Sequence, residues 1–92
     1  MTFQRLCNYI TCGEFNYYSR KLEILIEPLQ LYGSTDQTSY RITVYQNKQV
    51  IEVVDVTPPL TSKMKYEWKD ADECRDKVLL EKNRLYLKYA CA

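Results

Sequence analysis

Between Tyr40 and Val56 the chain reads YRITVYQNKQVIEVVDV, two arms of β-branched and aromatic residues hinged at Asn47 and Lys48. Ile, Val, Thr and Tyr pack well on a pleated surface, so the stretch predicts a β-hairpin. A two-residue loop sets the register: Gln46 opposite Gln49, Tyr45 opposite Val50, Val44 opposite Ile51, Ile42 opposite Val53, and Tyr40 opposite Asp55. In that register Tyr40, Ile42, Val44, Ile51 and Val53 make an apolar face for the core. Arg41, Thr43, Tyr45, Val50, Glu52 and Val54 make the other face, with Arg41 diagonal to Glu52. Asn-Lys is a weaker turn pair than Asn-Gly, because lysine at positive φ is strained.

Around this hairpin the rest of the chain supplies partners for the apolar face. Thr2 is placed to cap a short N-terminal helix in which Phe3, Leu6, Cys7 and Ile10 recur at helical spacing before Gly13. From Tyr17 to Ile26 the residues alternate, with Tyr18, Leu22, Ile24 and Ile26 on one side and Ser19, Lys21, Glu23 and Glu27 on the other, as in a half-buried strand. Pro28 marks an edge, and a bulge there brings Leu29 and Leu31 back to the core side. Residues 33–38, GSTDQT, form a turn-rich connection.

After Pro58 and Pro59 the segment KMKYEWK alternates again, with Met64, Tyr66 and Trp68 inward and Lys63, Lys65 and Lys69 outward, which predicts a fourth strand. Asp70 opens a long helix. Glu73 three residues on completes a capping-box pattern, acids gather at its start, and Lys82, Arg84 and Lys88 lie toward its end, the order a helix dipole favours. Ala71, Cys74, Val78, Leu85 and Tyr89, flanked by Leu79 and Tyr86, form the stripe that covers the hairpin. Lys82 lies within that stripe, so either its stem snorkels past the core or the helix ends early and residues 84–92 form a last strand. Leu80 and Leu87 fall on the far side. The expected fold is α+β: a single domain over residues 1–92, with a four-stranded antiparallel meander, a C-terminal helix on one face and a short N-terminal helix.

Composition restricts the chemistry. The chain has no histidine, which removes the usual general base, metal ligand and near-neutral pH switch. Two glycines leave no phosphate-cradling loop, and the acids Asp70, Asp72, Glu73 and Asp76 are accounted for by the helix start. Of four cysteines, at 7, 12, 74 and 91, Cys7 and Cys12 stand at the long edge of zinc-knuckle spacing while Cys74 and Cys91 are far apart, and the four read as reduced, mostly buried thiols; a cysteine-based redox or metal protein is a third-ranked reading. No catalytic, cofactor or metal residues are assigned. The N-terminus lacks a secretory pattern and no apolar run spans a bilayer, so the expectation is a cytoplasmic chain without membrane contact.

A formal net charge of +1 argues against bulk gripping of phosphate backbones. What is left is surface. Arg41, Tyr45, Lys63, Lys65 and Lys69 share the expected open sheet face, while Val50, Val54, Leu80 and Leu87 have no internal partner. The leading expectation is a non-catalytic protein-interaction module, with homodimerisation as one use of those apolar side chains. The alternative is a single-stranded nucleic-acid binder using the lysine-rich face.

Overall fold

The computed structural model describes residues 1–29 and 35–90. Helix α1 (Phe3–Thr11) is followed by four strands, β1 (Tyr17–Tyr18), β2 (Leu22–Pro28), β3 (Tyr40–Gln46) and β4 (Gln49–Val56), and by helix α2 (Ala71–Ala90). The strands form one antiparallel sheet in the order β1-β2-β3-β4, so the fold is the α+β meander that the sequence predicts. Both helices lie against one face of that sheet. Leu6, Cys7 and Ile10 of α1, Leu22, Ile24 and Ile26 of β2, Tyr40, Ile42 and Val44 of β3, and Ala71, Cys74, Val78 and Leu85 of α2 make a single buried cluster, joined by Val56 and Trp68.

The caps follow the sequence. The Thr2 hydroxyl accepts from the Arg5 amide at 3.2 Å, and α1 ends ahead of Gly13, whose φ of +82° suits a residue without Cβ. The Asp70 carboxylate accepts from the Glu73 amide at 2.8 Å, while Glu73 reaches back to the Lys69 amide at 2.7 Å. α2 then continues without a break through Lys82, which is half-buried and whose ammonium pKa is lowered by burial. The helix therefore does not end early, and no strand forms over residues 84–90.

Three strand assignments need correction. The segment Tyr17–Ile26 is two strands, because Ser19 folds the chain back, its hydroxyl accepting from the Leu22 amide and donating to the Leu22 carbonyl. This turn sends Tyr18 to the open face and leaves Tyr17 half-buried, edge-on to the Tyr86 ring at 5.0 Å. Residues 63–69 form no strand: Met64 takes φ +60° in a turn, and Leu60 and Tyr66 make one isolated bridge. Trp68 alone goes inward, its indole donating to the Thr38 carbonyl and its amide to the Asp36 carbonyl. Met64 and Tyr66 are exposed. No bulge occurs at Pro28, where β2 ends opposite Tyr40; Leu29 is half-buried, and Leu31 lies outside the described residues.

The last correction concerns the hairpin. Asn47 and Lys48 form the two-residue turn, both at positive φ, and Gln46–Gln49 and Tyr45–Val50 pair as expected. Beyond them the register shifts by one, with Val44 opposite Glu52, Ile42 opposite Val54 and Tyr40 opposite Val56. Ile51 is the extra residue of this bulge, and every later β4 side chain changes face. Val54 and Val56 thus turn to the core, whereas Ile51 and Val53 are exposed.

Candidate interaction surface

The pleat sorts alternate residues of each strand to opposite faces, and only one face of this sheet carries helices. On the other, Tyr18, Glu23, Tyr45 and Val50 form a row across all four strands. Leu25, Thr43 and Val53 form the next row, and Glu27, Arg41 and Asp55 the third. Tyr18 is 63% exposed, Val50 55% and Val53 48%, with Leu25, Thr43 and Tyr45 half-buried beside them. An uncovered apolar patch between charged borders is the usual appearance of a docking surface.

The charge of this face is the opposite of the one expected. Its cation is Arg41, which is committed to its register partner Asp55 through bonds of 2.9 and 3.2 Å. That bidentate pair raises the guanidinium pKa and holds the Asp55 carboxylate below its ordinary range. Glu23 and Glu27 add two further carboxylates. Lys63, Lys65 and Lys69 are exposed, but they leave the sheet with the turn that replaces the expected strand. A lysine-rich sheet face is therefore not formed.

Of the residues singled out in the sequence, Arg41, Tyr45 and Val50 come together on the open face. Val54 does not; the bulge turns it against the core. Leu80 and Leu87 are 66% and 61% exposed on the outer side of α2, as their spacing predicts, and so belong to a separate surface. Tyr18, Leu25 and Val53 are the members of the face that sequence reasoning missed. Tyr18 and Val53 carry no local signal, because their orientation follows from the Ser19 turn and the Ile51 bulge; Leu25 follows from the alternation that sends Ile24 and Ile26 inward, and only its apolar character set it apart from its polar neighbours.

On the covered side, Glu52 is drawn away from solvent by α2. Its carboxylate meets Lys88 at 2.8 Å and Arg84 at 3.8 Å, and accepts from the Tyr89 hydroxyl. The hydrogen bonds from Lys88 and Tyr89 depress its pKa. Deeper in, the Cys7 thiol and the Tyr40 hydroxyl lie 3.1 Å apart. Burial, then the bond to Cys7, pushes the Tyr40 phenol upward, and burial, then neighbouring Cys7, raises the Cys74 thiol to about 12. A thiol so far from ionisation is a packing residue, since the thiolate is the reactive form. Cys12 is free and exposed, and Cys91 lies outside the described residues. No helix among the described residues is long and apolar enough to cross a membrane. Comparison with family models, curated proteins and solved structures returned no match.

Proposed function

We propose that this chain is a small, non-catalytic, intracellular interaction module that holds a protein partner on the open face of its sheet. The observation that carries the reading is the uncovered set of Tyr18, Leu25, Tyr45, Val50 and Val53, contributed by every strand, with Glu23 among them and Glu27 beside them. Apolar anchors supply the affinity, and the carboxylates of Glu23 and Glu27 select a partner with cationic groups. Leu25→Glu, at the centre of the face, tests this in a cross-linking pull-down from cell extract. A stoichiometric partner retained by wild type and by Leu80→Glu, and lost with Leu25→Glu, is the expected result. Equal retention by all three, with circular dichroism showing all folded, would remove the face from the proposal.

A second reading, single-stranded nucleic acid, rests on the loop instead of the sheet, where Lys63, Lys65 and Lys69 are exposed in the same segment as the exposed Tyr66. Fluorescence anisotropy on short labelled oligonucleotides over a salt series decides it. Binding that weakens with salt and is lost in Lys63→Ala/Lys65→Ala supports it, and salt-independent or absent binding disposes of it.

A further inference from the structure

The two borders of the sheet are built differently. At the β1 border the strand has only two residues; past it, the Ile26 amide donates to the Asn16 side-chain oxygen at 2.8 Å, and Pro28 has no amide hydrogen to offer. These are familiar ways of closing an edge to foreign strands. At the other border β4 runs for eight residues, and among the described residues no strand pairs with its outer side.

The bonding pattern shows which β4 groups are left over. At the two ends of the β2–β3 pairing the Leu29 amide donates to the Ser39 carbonyl and the Asn47 amide to the Lys21 carbonyl. Odd-numbered residues of β3 therefore direct their backbone groups to β2, and even-numbered ones to β4. The partners of the even residues, Glu52, Val54 and Val56, bond inward to β3. Val53 and Asp55 are left with amide and carbonyl directed outward.

We propose that a second copy of this chain fills that border, β4 lying antiparallel to its counterpart about a two-fold axis at Val54, so that two four-stranded sheets become one of eight strands. Val53 and Asp55 of each chain then exchange hydrogen bonds with Asp55 and Val53 of the other, which uses every outward group beyond the bulge. The two Val54 side chains meet as a close, non-hydrogen-bonded pair. Charge supports an identical strand in particular. Both β4 carboxylates are neutralised within their own chain, Glu52 by Lys88 and Arg84, and Asp55 by Arg41. The border thus neither repels its own copy nor offers a charged peptide any advantage. The Ile51 bulge confines pairing to Glu52–Val56. This pairing names the occupant of one border and stands apart from the reading of the open face, which it would double in extent on a single surface.

Light scattering across a concentration series, together with glutathione-disulfide cross-linking, tests the pairing. Wild type is expected to approach the mass of two chains, and Val53→Glu, which sets a carboxylate opposite Asp55 of the other copy, and Val53→Pro to remain at the mass of one with unchanged far-ultraviolet circular dichroism. Should the proline variant unfold, the glutamate variant decides. In a background with Cys12 and Cys91 changed to serine, Val54→Cys is expected to form an interchain disulfide and Leu80→Cys not to. A wild type that stays monomeric at high concentration overturns the proposal, as does a dimer that survives Val53→Glu or cross-links through Leu80→Cys. Leu25→Glu leaves the mass unchanged here, so failure of the β4 pairing and failure of the face reading are told apart.

Discussion

The two faces of this sheet are cut from the same strands and share almost nothing else. In β2 and β3, Leu22, Ile24, Ile26, Tyr40, Ile42 and Val44 go under the helices, while Glu23, Leu25, Glu27, Arg41, Thr43 and Tyr45 stay out. One side is apolar throughout; the other mixes an apolar block with charge. The lesson is that a strand with strict alternation carries two independent messages, one for folding and one for recognition. β4 shows what interrupts them, because a single extra residue at Ile51 exchanges the messages from there onward.

The contrast can be broken most severely from the covered side. Ile24→Ala empties a fully buried position and should cost about 2–5 kcal/mol in urea denaturation. A loss comparable to that of a surface substitution would mean that the helices do not cover this face. Asp70→Ala removes the cap of the helix that provides most of the cover, and should lower stability by about 1 kcal/mol with a matching fall in thermal midpoint. Lys48→Gly acts in the opposite direction: relief of positive φ in the turn that starts the register should stabilise by up to about 1 kcal/mol.

Acid probes the clamp between β4 and α2. Because Lys88 and Tyr89 hold the folded-state pKa of Glu52 below its ordinary value, the associated stability is present above the unfolded carboxylate pKa of about 4 and is lost as pH falls through the lower folded value. Asp55, held down by Arg41, has the same sign. Thermal midpoints measured from neutral to acid pH should therefore fall below about pH 4, and Glu52→Gln should flatten part of that slope. The smallest effect belongs to the open face, where Val53→Thr should change stability by no more than about 0.5 kcal/mol. A large loss there would place Val53 in a packed interface.

How far the fold was legible depended on the range of the forces involved. The caps at Thr2 and Asp70, the stripe Ala71, Cys74, Val78 and Leu85, and the turn at Asn47 and Lys48 rest on contacts within a few residues, and each appears where its pattern places it. The lysine strand failed for a reason that alternation cannot reveal. Trp68 satisfies its indole and amide on Thr38 and Asp36, some thirty residues away, and that anchoring leaves Lys63 and Lys65 in a turn.

Local pattern thus determined, unaided, that this chain makes a meander under two capped helices, and which side of β2 and β3 is oily. Only the assembled tertiary structure decided which side of β4 is oily and what charge the bare face carries. Side-chain orientation in a strand has a period of two, so one inserted residue reverses it, and whether the ladder accepts an insertion at Ile51 is settled by burial of Val54 and Val56 against helices distant in the sequence.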